Sequence, residues 1–331
     1  MLALLFSIAL KVWGGERVEM AWPTPHTAWS ENRPESEFLQ HAGSGDAESG
    51  GFGGVRTGGN QFHEGIDIRP THRDRRGHAT DDVYAAMAGV VRHANAKPGN
   101  SSYGRYIVLE HPEVAPGVYT LYAHLARIAP EVKPGASVSL RQTIGKMGNS
   151  AGGYVIPLDR SHLHFEIGVM MSRDFQRWYD ARKFGSKNDH NLWNGMNLMG
   201  IDPLDFFDQW RARKVDSFED YFAQMKPVVR LKMATRRIPD FVARYPALLT
   251  KSLPEIVSGW EIVFNWTGLP FQWTPLSPIE TIGLSATPTL VEVDAGVERQ
   301  QRSKTLAVNR RGKWVPGRDL ETVLQQLFGT P

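Results

Sequence analysis

Ser161-His-Leu-His-Phe-Glu-Ile-Gly168 is the stretch on which the reading of this chain turns. Apolar Leu163, Phe165 and Ile167 alternate with His162, His164 and Glu166, the period-two pattern of a strand with one face in a core. Residues two apart on a strand project from the same face, with Cα atoms about 6.6 Å apart. His162 and His164 therefore share the open face, where they can meet a metal ion and its bound water together.

Phe62-His-Glu-Gly-Ile-Asp-Ile68 alternates in the same way, with His63, Gly65 and Asp67 on one parity. On a straight strand His63 and Asp67 would stand about 13 Å apart, too far to share a zinc ion with bonds of about 2 Å. The strand must bend between them, and Gly65 sits where unusual φ and ψ are needed. A helix would also bring i and i+4 together, but Gly65 and two isoleucines argue against it. A catalytic zinc takes three protein ligands and keeps one position open for water. His63, Asp67 and one histidine of the His-Leu-His strand supply three. Other histidines, including His124 in Tyr122-Ala-His-Leu125, could then position that water or donate to the oxyanion and the leaving amine.

Outward from these segments, residues 61 to 168 read as short runs such as YGRYIVLEH and GVYTLYAHL, rich in Val, Ile and Tyr and separated by Gly and Pro. Many short strands with turn signals at this spacing predict antiparallel β-sheets. Pro23 to Gly59 is loop-like and reads as a flexible lead-in, while 171–200 reads as a long polar and aromatic surface insertion. Downstream, apolar residues at helical spacing, the runs Trp260–Trp266 and Thr289–Val293, and a final helix from Asp319 to Phe328 predict an α+β module. The expected organisation is an apolar N-terminal segment and linker over 1–35, a mainly β catalytic domain (antiparallel sheets, sandwich- or barrel-like) over 36–206, and a smaller α+β C-terminal module over 207–331.

The chain has 331 residues and no cysteine, which excludes disulfides, thiol nucleophiles and cysteine-ligated zinc. Any metal site must be built from His, Asp and Glu, and 11 histidines are available. Net charge is +3, with 38 basic residues nearly balanced by 35 acidic ones and no basic stripe, so no nucleic-acid footprint is present. Leu2 to Leu10 is too short to span a bilayer but fits the apolar core of a signal peptide, although no Lys or Arg precedes it. It supports export to the periplasm or cell envelope, and no transmembrane span is expected downstream.

As an ordered set, His63-x-x-x-Asp67, Tyr122-x-His124-Leu125 and His162-Leu-His164-Phe-Glu166 resemble the lysostaphin-like zinc metallopeptidases, which cut peptide cross-links of bacterial peptidoglycan. Ala85-Ala86, Gly89-Val90-Val91, Tyr103-Gly104, Val132-x-Pro-Gly135 and Ile144-Gly145 match its intervening landmarks. The resemblance spans residues 52–166. It implies Zn2+ held by His63, Asp67 and His164, with His124 and His162 as an unligated catalytic pair. It also implies peptidoglycan as the partner and an endopeptidase activity. Two stretches are longer than usual for the family, 71–82 and 148–161; both would frame the groove and bear on substrate choice. The alternatives are a zinc-containing wall-binding module that regulates another hydrolase, and a metallopeptidase acting on a non-wall peptide. His72, His78, His93, His111 and His190 read as loop or strand positions. Glu166 is open between a partner to a ligating histidine and a strand-end carboxylate.

Overall fold

In the computed structural model residues 16–329 are described, so the apolar segment Leu2–Leu10 lies outside them. The part of the chain up to about residue 201 is β-rich, as its alternating runs predict. In chain order it comprises β1 (Gly53–Arg56), β2 (Gln61–His63), β3 (Ile66–Ile68), β4 (Asp82–Tyr84), β5 (Gly89–Asn95), β6 (Tyr106–His111), β7 (Val118–Ala123), β8 (Arg127–Ile128), β9 (Ser137–Val138), β10 (Thr143–Lys146), β11 (Leu163–Met170) and β12 (Leu198–Ile201). A seven-stranded antiparallel sheet runs β12-β11-β7-β6-β5-β9, with β3 also paired to β11. A second, three-stranded sheet has the order β4-β10-β8. The Tyr122 hydroxyl of β7 accepts a hydrogen bond of 2.8 Å from the Ala86 amide, linking the first sheet to the chain that leaves β4.

Strand β11 is central because its sequence can be buried on both faces. Leu163, Phe165 and Ile167 enter the core fully buried, and His162, His164 and Glu166 on the other face are buried as well, with β3 and β7 paired along the two edges of the strand. Register does the rest. His164 lies opposite Asp67 of β3 on one side and opposite Ala123 of β7 on the other, so the three motif segments become neighbouring strands. Directly opposed residues in such ladders have Cβ atoms about 5 Å apart.

Two expectations change. Residues 23–59 are packed in large part rather than a flexible lead-in: Trp29, Phe38 and Leu39 are buried in the main core, with Val18 and Met20 just before them. Trp22 stacks on Trp29 at 5.0 Å, and both meet Phe207 edge-on. The insertion 171–200 contains helix α1 (Phe175–Arg182), whose buried Phe175, Trp178 and Tyr179 form a small core of their own against Leu192.

The C-terminal part carries α2 (Pro203–Arg211), α3 (Phe218–Ala223), β13 (Val229–Ala234), α4 (Asp240–Arg244), β14 (Gly259–Phe264), β15 (Pro270–Leu276), β16 (Thr289–Val293), α5 (Ala295–Gln300), β17 (Ala307–Arg310), β18 (Lys313–Pro316) and α6 (Arg318–Phe328). Its four-stranded antiparallel sheet has the order β15-β14-β13-β16. Trp260 and Trp273 are fully buried there as core residues. One apolar cluster runs continuously from Val18 through β11 to Leu327.

His111, at the end of β6, is fully buried; its Nδ1–H donates to the Ala88 carbonyl at 2.7 Å, and Nε2 accepts from the Thr120 hydroxyl at 2.8 Å. Burial pushes it down from 6.5 to about 4. The unfolded chain therefore binds more protons at mildly acid pH. This contribution is fully present above pH 6.5 and lost as pH falls towards 4, with about 2 kcal/mol of it already lost at pH 5. Urea denaturation at pH 7 and pH 5 should show the midpoint moving to lower urea at the lower pH. An unchanged midpoint would contradict a neutral, buried His111.

Candidate metal centre

The break between β2 and β3 makes the site. Gly65 does not need a left-handed backbone there; it needs the absence of a side chain, because a Cβ would lie 2.2 Å from the Phe165 carbonyl oxygen of β11. The close approach turns the chain so that His63 and Asp67, both buried, meet His164. Edges of 2.9 Å (His63 Nε2 to His164 Nδ1), 3.0 Å (His164 Nδ1 to Asp67 Oδ1) and 3.1 Å (His63 Nε2 to Asp67 Oδ1) close a triangle. Among the described residues these three form the one group of His, Asp and Glu side chains close enough together to hold a metal ion.

The donor set fits zinc. Ligand atoms around tetrahedral zinc stand about 3.3 Å apart, close to these edges, and two imidazoles with a carboxylate suit the ion chemically. The far side of each ring is also tied down. His63 Nδ1–H donates to the Gly51 carbonyl at 2.6 Å, which leaves the Nε2 lone pair facing the triangle. His164 Nε2–H donates to Glu166 Oε1 at 2.9 Å, which turns Nδ1 inward. Glu166 is itself held by the Tyr103 and Tyr119 hydroxyls at 2.6 and 2.8 Å. The question about Glu166 thus resolves to a carboxylate orienting His164.

The electrostatics follow from this packing. Burial opposes charge on Asp67, yet the surrounding imidazoles of His162, His63 and His164 hold its carboxyl well below the usual range. Burial also opposes charge on His164, but its hydrogen bonds to Asp67 and Glu166 outweigh that and push it up to about 9. A proton and a cation therefore compete for the same Nδ1 lone pair. Arg56 completes the cluster: it pairs with Asp67 Oδ2, lies 2.9 Å from His63 Nε2 through Nη2, and donates from Nε to the Ser49 carbonyl at 3.1 Å.

His124 and His162 complete the set of five, with ring centroids 4.8 Å apart and His124 5.9 Å from His164. Each commits Nδ1–H to a backbone carbonyl at 2.8 Å, Ser150 for His124 and Arg160 for His162, leaving Nε2 free. His162 Nε2 is 3.5 Å from Asp67 Oδ1. Burial pushes both imidazoles below 6.5, His124 further than His162, so both are neutral bases at neutral pH. His124 sits at φ 61°, a left-handed conformation uncommon for a residue with a side chain and concentrated at functional sites.

The cluster floors an open groove of about 840 Å3, walled by Tyr103, Tyr154, Lys187 and Met196 among others. Tyr154 belongs to the long 148–161 loop, and Lys187 and Met196 to the insertion, so these two segments frame the groove, whereas no residue of 71–82 lines it. His190, read from sequence as an ordinary position, is buried beside it and 3.2 Å from His93. Spacing gave no warning of Arg56, which lies in a glycine-rich run, or of the Tyr103 and Tyr119 hydroxyls.

Residues 61–174 match the model of peptidase family M23. No curated protein sequence is significantly similar to the chain. Solved structures similar to it include a zinc-containing peptidase from Vibrio cholerae, 31% identical over 32% of this chain and 26% of that one, with a TM-score of 0.24. The chain thus spans about a quarter of that protein's length. The catalytic domain of lysostaphin from Staphylococcus simulans is 22% identical over 48% of this chain and 89% of that one, with a TM-score of 0.30. The catalytic domain of the prophage-encoded M23 protein EnpA from Enterococcus faecalis is 24% identical over 40% and 86%, with a TM-score of 0.27. These scores are low, and the assignment rests on the family match and the ordered motifs. Residues 61–174 thus match a peptidase M23 domain, within a chain that extends beyond it on both sides.

Proposed function

We infer that this protein is an exported zinc metalloendopeptidase that hydrolyses peptide cross-links of bacterial peptidoglycan, with His63, Asp67 and His164 as the metal ligands and His124 and His162 as the catalytic pair. The observation that carries this reading is the triangle of three donor atoms on the floor of an open groove, with two further Nε2 atoms free beside it. M23 peptidases are typically zinc metallopeptidases acting on peptidoglycan. Among the described residues no helix is long and apolar enough to cross a membrane.

Zinc would supply a water of pKa about 7 and polarise the scissile carbonyl. The chain's own residues do the remainder. His162 and His124, neutral and fixed by their Nδ1 hydrogen bonds, take up the water's proton at Nε2 and return it to the leaving amine. Arg56 adds positive charge beside the cluster through its contacts with His63 and Asp67. Glu166, backed by two tyrosines, keeps the His164 ring from rotating.

Glu166→Ala should weaken zinc binding by about 10- to 100-fold, measured by chelator competition. Unchanged affinity would make Glu166 a packing residue only. The reading as a whole is tested by metal analysis together with mass spectrometry of peptides released from purified cell wall. New peptide ends that depend on bound zinc support it, whereas a protein that binds no zinc, or a wall left uncut, sinks it.

A further inference from the structure

The β1–β2 hairpin carries Arg56 and His63, yet its two strands pair only with each other. Such a two-stranded unit is marginal without packing on a face. That packing comes from more than 200 positions away in the sequence. Trp266, in the turn between β14 and β15, lies against Gly53, where a Cβ would sit 2.7 Å from the indole Cη2. The same ring is 5.9 Å from Phe52 and 5.9 Å from Phe62, which meet each other edge-on at 5.3 Å. Gly53 is the register partner of His63, and Phe62 is its chain neighbour. Lys304 Nζ stands 4.3 Å over the Phe62 ring.

The opposite wall is tied to the same module. Buried Gln326 of α6 donates to the Met196 carbonyl at 2.7 Å, and Met196 lines the groove. Where β11 runs out towards the insertion, the Arg244 guanidinium donates to the Met170 and Met171 carbonyls at 2.8 and 3.1 Å.

We propose that the C-terminal module is a clamp on the groove, with Trp266 as the positioning residue for His63 and Gln326 as that for the opposite wall. The functional unit then runs through Phe328 rather than ending near residue 206. A polar lever reinforces the need for the clamp: His63 and Arg56 reach Asp67 and His164 from the hairpin, so a displacement of the hairpin as a unit moves a candidate metal ligand and a cation together. The kinetic consequences of this clamp rest on the metallopeptidase reading above; the clamp itself does not.

The test compares Trp266→Ala, Trp266→Phe and Leu231→Ala in the full chain. Leu231 is buried mid-sheet in the same module and serves as a control for lost stability alone. In Trp266→Ala, hydrogen exchange of amides 53–63 should rise about tenfold or more. Zinc affinity should fall about tenfold, and kcat about 10- to 100-fold with little change in KM, because a ligand displaced by about 1 Å costs that much. Trp266→Phe should restore most of each loss, and Leu231→Ala should leave hairpin exchange, zinc affinity and kcat near those of the parent. The proposal is overturned if Trp266→Ala matches the parent in hairpin exchange, or if Leu231→Ala reproduces its full pattern. A parent chain with no zinc and no turnover would refute the metallopeptidase reading instead, and the exchange comparison would still decide the clamp.

Discussion

Asp67→Asn should weaken zinc binding by about 10²- to 10³-fold or more and wall cleavage with it, while the fold persists. Asp67 is the group on which the cluster converges: His63 at 3.1 Å, His164 at 3.0 Å, His162 at 3.5 Å, and Arg56 on its second oxygen. Asparagine keeps the shape and removes the charge. Zinc sites bind with about 10–16 kcal/mol, so one ligand of three or four accounts for about 3–4 kcal/mol, or about 10²- to 10³-fold in affinity. The electrostatic loss adds to this, because Arg56 then faces the cation with no carboxylate to balance it. The backbone pairing of β3 with β11 does not depend on the Asp67 side chain, so far-UV circular dichroism should be unchanged. Full zinc occupancy in Asp67→Asn would remove this residue from the ligand set.

The second large effect separates the metal from the proton chemistry. His124→Ala and His162→Ala should each lower kcat by about 10²- to 10⁴-fold while zinc content stays near one per chain. Neither ring is in the donor triangle, and each is already held by its own carbonyl, Ser150 or Arg160. The double variant should be little worse than the poorer single one, since the two rings act as a unit. Burial keeps both below 6.5, so in the parent the acid limb of kcat/KM should fall below pH 6.5: activity is present above it and lost as the rings protonate. Zinc lost along with activity would instead make the altered residue a ligand. Activity retained in either variant would deny that ring a catalytic part.

Much of this site was legible because strand alternation translates directly into faces. Leu163, Phe165 and Ile167 announced a core side, and His162 and His164 had only the other side to occupy. The bend between His63 and Asp67 was also legible from reach alone, but its cause was not. Gly65 is required by the nearness of a strand about 100 positions later, a contact that local spacing does not encode. The same limit explains Arg56 and Trp266. Arg56 sits in a run of glycines with no periodicity, and its partners follow from a hairpin folding back on Asp67. Trp266 reads as one more apolar residue of a strand, whereas its ring serves a hairpin in another part of the chain. Residues 23–59 look loop-like in sequence for a related reason. Gly and Pro mark turns, yet Trp22, Trp29 and Phe38 between them bring enough apolar surface to dock onto Phe207 and the core.

The central claim is that one metal ion sits among His63, Asp67 and His164. Diffraction from zinc-loaded crystals on both sides of the zinc absorption edge tests it most directly. One anomalous peak is expected about 2.0–2.2 Å from His63 Nε2, a carboxylate oxygen of Asp67 and His164 Nδ1, with His124 and His162 outside the coordination sphere. A peak bonded to His124 or His162 in place of one of these three, or no peak in the groove at all, would contradict it.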